Sequence, residues 1–177
     1  MTVKSADTCK IIIAGPVAAG KTTAINIVSD IDAVNTDENS TDATKHLKQE
    51  TTVAMDYGLL LLSDGSAVHL YGAPGQDRFD YMWDILGQGA LGLVLLINNN
   101  VPLPLKELDH FLNAFSELIT KTALVIGITK MDIQEKPSIE QYHQHLAKKG
   151  MNIPVFEVDA RDKNDIQVLL RVLLYSI

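Results

Sequence analysis

Six apolar runs alternate with segments of helical period along the chain. Leu91–Ile97 and Ala123–Thr129 are almost wholly apolar, as strands covered on both faces are, and Cys9–Ala14 is a third apolar run. Val53–Leu62 and Ala67–Tyr71 flank Ser63-Asp64-Gly65-Ser66, whose Asp-Gly pair predicts a tight hairpin. So short a turn leaves no room for a crossover, and these two strands are expected to be antiparallel. Pro154–Val158 completes the set of strands. Between them, helices are expected near Lys21–Ser29, Asp77–Leu86, Leu105–Thr120, Ile139–Lys148 and Asp165–Tyr175. In the second of these, Phe79, Met82, Trp83 and Leu86 fall on one helical face and are expected in the core, with Tyr81 and Ile85 outside it. Asp30–Glu50 is different: it is polar, rich in Thr, Asp, Asn and Ser, and has little apolar period. A connection of that length inside a compact domain is usually functional or mobile. The alternation as a whole predicts one α/β domain over residues 1–177, with a six-stranded, mostly parallel sheet, one antiparallel strand and about five flanking helices.

Composition narrows the function. The 177 residues are 46% hydrophobic and 21% charged, as in a soluble globular protein large enough to bury a core. A net charge of −7 without any Lys/Arg cluster argues against a general nucleic-acid binder. Cys9 is the one cysteine, so no internal disulfide forms, which fits a reducing cytoplasmic setting. The first residues are polar and carry no signal pattern, and no apolar run reaches membrane-spanning length. Thr2 excludes N-myristoylation, and Tyr175-Ser176-Ile177 carries no prenylation cysteine. Membrane contact is therefore expected only through a partner, without direct insertion.

The chemistry is concentrated at Gly15-Pro16-Val17-Ala18-Ala19-Gly20-Lys21-Thr22, which fits the phosphate-loop pattern G-x-x-x-x-G-K-[ST] between an apolar strand and a helix. Gly15 and Gly20 let the backbone turn where a side chain would block it. The N–H groups of Gly15, Val17, Ala18, Ala19, Gly20, Lys21, Thr22 and Thr23 are the expected cradle for phosphate oxygens, helped by the helix N-terminus. Lys21 is expected to reach the terminal phosphates, and the Thr22 hydroxyl to bind magnesium. A ligand-free Gly-rich turn is the bland alternative. Two later loops, Thr129-Lys130-Met131-Asp132 and Val158-Asp159-Ala160-Arg161, follow the ends of strands and so share the ligand side of the sheet. The Asp132 carboxylate suits the paired N–H donors of guanine, the Lys130 stem can lie over a base, and the Ala160 N–H can donate to the guanine carbonyl. More plainly, Asp132 would cap a helix and Arg161 would be a solvated charge. His143 and His145 are read as surface residues rather than metal ligands, and Asn98-Asn99-Asn100 as a polar loop without chemistry.

Together these motifs resemble a small Ras-like GTPase, most similar to its Arf-like and bacterial MglA-like branch. Thr52-Val53-Ala54-Met55-Asp56-Tyr57 resembles the switch I threonine with its following strand, and Gly72-Ala73-Pro74-Gly75-Gln76-Asp77-Arg78-Phe79 resembles switch II. The resemblance implies a molecular switch that binds GTP and GDP and hydrolyses GTP slowly. It implies that Gln76 positions the attacking water, that Gly75 is among the nucleotide-binding residues, that Lys21 assists catalysis, and that Thr22 and Thr52 hold magnesium. Thr51 is the alternative to Thr52, and both are plain strand residues on the blander reading. Asp159, Ala160 and Arg161 are a looser match to the last base-reading motif. A GTPase-activating or effector protein of the roadblock type is the implied partner. Two departures stand out. Gly72 occupies the place of an Asp that usually holds magnesium through water, so Gly72→Asp is expected to strengthen metal binding if the loop accepts it. Val17 stands where the Ras branch prefers glycine and could crowd an incoming catalytic group. A nucleotide-holding scaffold with little or no turnover, and a phosphoryl-transfer kinase, are the competing readings, although the chain lacks the length and motifs for a kinase's acceptor pocket and lid.

Overall fold

Ile11, Ile12 and Ile13 are each 0% exposed, so neighbouring side chains that point to opposite faces are all covered. Such a strand requires helices on both sides of its sheet. The structure, a computed structural model, describes residues 9–32, 34–35, 55–76 and 80–177. The isoleucines belong to β1 (Cys9–Ala14), followed by α1 (Lys21–Val28), β2 (Val34–Asn35), β3 (Asp56–Leu61), β4 (Ala67–Gly72), α2 (Asp80–Gly87) and β5 (Gly92–Asn98). Then come α3 (Pro104–Ala114), α4 (Ser116–Ile119), β6 (Ala123–Thr129), α5 (Ile139–Lys148), β7 (Val155–Glu157) and α6 (Lys163–Leu174). Six strands of three or more residues run in the order β3-β4-β1-β5-β6-β7 and match the expected sheet; the two-residue β2 adds an edge beside β3. From β4 to β7 every pairing is parallel, whereas β3 meets both β4 and β2 antiparallel.

The two faces carry separate cores. On one, α1 and α6 lay Ala24, Ile25, Val28, Ile166, Leu169, Leu170 and Leu173 over Ile11, Ile13 and Val94. On the other, α2, α3 and α5 bring Trp83, Leu86, Leu108, Phe111, Tyr142 and Leu146 against Ile12, Leu93 and Leu95. Each fully buried large aliphatic side chain contributes about 1.5–3 kcal/mol relative to exposure. Met82, Trp83 and Leu86 are buried as their spacing implies and Ile85 is 61% exposed; Phe79 and the other residues of 77–79 lie outside the described residues. The helix expected at Leu105–Thr120 is divided, because the backbone leaves helical geometry at Phe115, which caps α3 and starts α4. Pro104 begins α3, where its missing N–H is not needed. A capping box between Ser138 and Gln141 starts α5 at the expected residue. Cys9 sits in β1 half-buried, and burial pushes its thiol pKa up.

Candidate functional site

The loop between β1 and α1 turns on backbone conformations that most residues avoid. Gly15 has φ +142°, Ala18 +62° and Gly20 +95°. A Cβ on Gly15 would stand 2.0 Å from the Leu96 carbonyl oxygen, and one on Gly20 would stand 2.7 Å from the Ala160 Cβ. The loop is thus pressed against the end of β5 on one side and against the β7–α6 connection on the other. Ala18 holds a left-handed conformation that costs an ordinary residue about 1–2 kcal/mol. Hydrogen bonds from neighbouring strands fix it there: Asn98 Nδ2 donates to the Ala18 carbonyl at 3.4 Å, and the Thr129 hydroxyl donates to the Ala19 carbonyl at 3.0 Å.

Lys21 opens α1 and folds back across the loop, donating to the carbonyls of Gly15 at 2.8 Å and Pro16 at 2.7 Å. Burial pushes its pKa down to about 8, against the opposing charge of Asp56. The Thr22 hydroxyl donates to Asp56 Oδ2 at 2.5 Å, the length of a hydrogen bond onto a charged oxygen. Thr23, next on the helix, is exposed. Gly75 comes onto the same loop: a Cβ there would meet Lys21 Nζ and the Val17 N–H nitrogen at 2.7 Å each. Gln76 follows it and is exposed. Val17 is 58% exposed and lines, with Gln76, Leu103, Lys106 and His110, a groove of about 580 Å³ beside the loop. Thr51 and Thr52, as well as Arg78, lie outside the described residues.

The base-side loops are adjacent to this cradle, as Gly20 against Ala160 already shows. Lys130 has φ +59°, a turn that carries the chain from β6 into Asp132. Asp132 is 64% exposed, with Arg161 Nη2 at 3.7 Å. The Arg161 guanidinium clamps Asp159 with Nε at 2.8 Å and Nη2 at 2.7 Å, and its backbone N–H also donates to Asp159. That guanidinium holds the Asp159 carboxyl down to about 2. The Asp159 N–H in turn donates to Asp165 Oδ2 on α6. Arg161 is therefore a strut between carboxylates rather than a purely solvated charge.

Several residues in the site were not visible in the sequence. Asn99 is 0% exposed and Asn98 5%, so two of the three asparagines are not a surface loop. Asn99 Nδ2 donates to the carbonyls of Gln134 and Pro137, and its Oδ1 accepts from the Tyr142 hydroxyl, which fixes the segment after Asp132. Thr129, the first residue of the base-side motif expected from the sequence, ties β6 to the phosphate loop. His145 is not merely a surface residue, since its Nε2 lies 2.7 Å from Asp109 Oδ1, while His143 is exposed. Among the described residues no three His, Cys, Asp or Glu side chains gather as a metal cluster, and no helix is long and apolar enough to cross a membrane.

A strand, a left-handed phosphate loop, a helix-opening lysine and two further loops at the same sheet edge define a phosphate-loop α/β protein of the nucleotide-binding class. Residues 31–171 match the family described as "Conserved hypothetical ATP binding protein", and the chain belongs to that family. The matched stretch begins beyond the phosphate loop and takes in both base-side loops. Among similar proteins, the intraflagellar transport protein 22 homolog of Danio rerio is 27% identical over 129 residues, 72% of this chain and 66% of the relative. The homolog of Rattus norvegicus is 26% identical over 106 residues, 60% of this chain and 55% of the relative. The chain thus spans less than two thirds of the length of these relatives. An uncharacterized protein of Methanocaldococcus jannaschii is 32% identical over 138 residues, covering 77% of this chain and 79% of that protein.

Proposed function

We propose that the chain is a guanine-nucleotide switch that hydrolyses GTP slowly, an MglA-like relative of the Ras-type GTPases. The observation that carries this reading is the contact of Gly20 with Ala160, which sets the phosphate cradle directly beside the Asp132–Asp159–Arg161 loops. A nucleotide spanning the two would have its phosphates on residues 15–23 and its base at Lys130, Asp132 and Ala160. The Asp132 carboxylate favours guanine, whose ring N–H and amino group both donate; adenine offers no such pair. Each buried polar group left unpaired by the wrong base costs about 1–3 kcal/mol. The family's description favours a second reading, an adenine-nucleotide binder on the same loops. Competition of GTP and ATP for the purified chain decides between them. Guanine preference should be strong in the wild type and lost in Asp132→Ala; equal affinity for both nucleotides in the wild type refutes the guanine reading.

For hydrolysis, Gln76 is the group to orient water, and Lys21 places positive charge on the terminal phosphate. Magnesium, held by Thr22 and by Thr52, would neutralise charge on the phosphates when bound, and the oxygen donor of Thr22 suits it. Val17 stands beside the approach to Gln76, so turnover by the isolated chain should be slow. A partner of the roadblock type, entering by the groove beside Val17 and Gln76, would supply an arginine or reorient Gln76; an arginine in trans is worth roughly 10³–10⁵-fold. Single-turnover hydrolysis with and without cell extract measures this. Stimulation should vanish in Gln76→Leu with nucleotide binding kept, and absence of any turnover under both conditions would favour a scaffold that only holds nucleotide.

A further inference from the structure

Asp132 is an exposed side chain, with Arg161 Nη2 at 3.7 Å, so its placement depends on the backbone beneath it. That backbone turns at Lys130, whose carbonyl accepts from the N–H groups of Ile133 and Gln134 at 3.2 Å each. It is then tied to Asn99, the buried residue directly after β5. Asn99 Nδ2 donates to the carbonyls of Gln134 at 2.5 Å and Pro137 at 3.2 Å. Gln134 Nε2 donates in return to the Asn99 carbonyl at 2.8 Å. On the other side of Asp132, the Asn99 N–H donates to the Thr129 carbonyl at 2.9 Å. From α5, the Tyr142 hydroxyl donates to Asn99 Oδ1 at 2.8 Å. Burial, and the charge of Glu107, push the Tyr142 phenol pKa up, so the hydroxyl keeps the proton it donates. The segment that carries Asp132 is therefore closed on one buried residue from both ends.

We infer that Asn99 is a positioning residue that determines base specificity: it sets which base is preferred, without touching the base, by holding the segment that carries Asp132. The inference rests on the reading of Asp132 as the group that selects the base. Three points support it. The chemistry at Asn99 calls for two N–H donors and one acceptor on a short arm, which an asparagine amide supplies and Asp, Ser or Leu does not. At a buried position water cannot take over those bonds, so the segment has no equal substitute for them. Selection by one carboxylate also falls steeply with misplacement, and a displacement of about 1 Å at a site can cost about 100-fold. The phosphate loop has its own anchors, Asn98 on Ala18 and Thr129 on Ala19. The Asn99 side chain thus bears on the base end of the site and leaves the phosphate end alone.

Isothermal titration of the full chain with GDP and, in parallel, with ADP gives the preference as the ratio of the two Kd values. Asn99→Asp keeps the size of the side chain and its Oδ1 but turns an oxygen toward the carbonyls of Gln134 and Pro137. It should cut the wild-type preference by about tenfold or more, while the affinity for the disfavoured nucleotide, held mainly by its phosphates, stays nearly unchanged. Gln134→Ala, at a half-buried position, removes the return bond to Asn99 and should cut the preference by about threefold. A merely structural role would lower both affinities together and leave the ratio as it was. An unchanged ratio in Asn99→Asp overturns the assignment, and where that variant does not fold, an unchanged ratio in Gln134→Ala overturns it instead. A wild-type preference for ADP would defeat the guanine reading alone, and the role of Asn99 is then read on the ADP preference. No preference in the wild type would defeat both.

Discussion

At Gly15 the fold leaves no room for any side chain. Its φ of +142° is foreign to other residues, and the nearest atom to an added Cβ is a backbone carbonyl oxygen of β5, which cannot swing aside. Gly15→Ala should therefore cost more than about 4 kcal/mol in urea unfolding, the range reached only by severe steric or burial defects. A loss near 1 kcal/mol would mean that β1 and β5 separate easily there. The strand–loop–helix unit and the turns at Gly15 and Gly20 were legible because they follow from contiguous spacing. The bond from Thr22 to Asp56 was not, because it comes from the placement of a distant strand, which no local pattern contains. Asn98 and Asn99 were hidden for the same reason: a polar side chain becomes structural when a distant carbonyl needs a donor. For Arg161 the signal was present, since Asp-x-Arg spacing lets one side chain return to the other, but spacing alone does not separate a clamp from a solvated charge.

Elements with a single strong period were read to within a residue or two. β1, β6 and α5 have the expected bounds, since apolar runs and a Ser-x-x-Gln cap leave little choice. The continuous helix expected over residues 105–120 was not found, because its period continues through Phe115 while tertiary packing does not. There the Phe115 ring stacks on Trp83 with centroids 5.0 Å apart, at the residue where the backbone leaves helical geometry. The edge strand β2 has two residues and no period to detect. Between elements, α3 and α5 are joined by Asp109, which receives His145 at 2.7 Å and Lys149 at 3.1 Å. Burial pushes the Asp109 carboxyl up, but hydrogen bonds from His145 and Lys149 and their charges outweigh it, so the pKa ends below its ordinary value. A depressed folded pKa stabilises above the unfolded value and loses that contribution as the pH falls through the folded one. Asp109→Asn should thus be less stable than wild type by about 0.5–1 kcal/mol at neutral pH, as for a good ion pair near the surface. The difference should shrink as the pH drops below the unfolded carboxyl value of about 4. Denaturant titrations across that window check it, and a gap that stays constant or widens toward acid contradicts the ion-pair account.

Across the whole molecule, the phosphate loop is joined to the far helical layer by a short chain of contacts. Gly75 lies against Lys21 and Val17. Its neighbour Pro74 offers a carbonyl that accepts from Trp83 Nε1 at 2.9 Å. Trp83 is 4% exposed and its ring meets Phe111 at 5.4 Å and Phe115 at 5.0 Å between centroids, so α2 and α3 share one aromatic cluster. Such pairs add about 0.5–1.5 kcal/mol beyond their buried area, enough to give the cluster a preferred arrangement. If a terminal phosphate draws the Gly75 backbone toward Lys21, Pro74 and the indole bonded to it are expected to shift with it. Order and release of a loop by a terminal phosphate is a known type of switch, and Trp83 is placed to report it. The chain has one tryptophan, so indole emission excited apart from the tyrosines reports this position alone. Exchange of GDP for a non-hydrolysable GTP analogue should change the intensity or wavelength of that emission, and Asp132→Ala should abolish the change at concentrations that saturate the wild type. Trp83→Phe keeps the ring stacking but loses the N–H, and should cost about 1 kcal/mol of stability for the lost hydrogen bond. It should also narrow the affinity difference between GDP and the GTP analogue if Pro74 and Trp83 move together. Identical emission in the two nucleotide states, with both shown to be bound, would mean that the loop at Gly75 and helix α2 respond independently and would count against a nucleotide-driven change along this path.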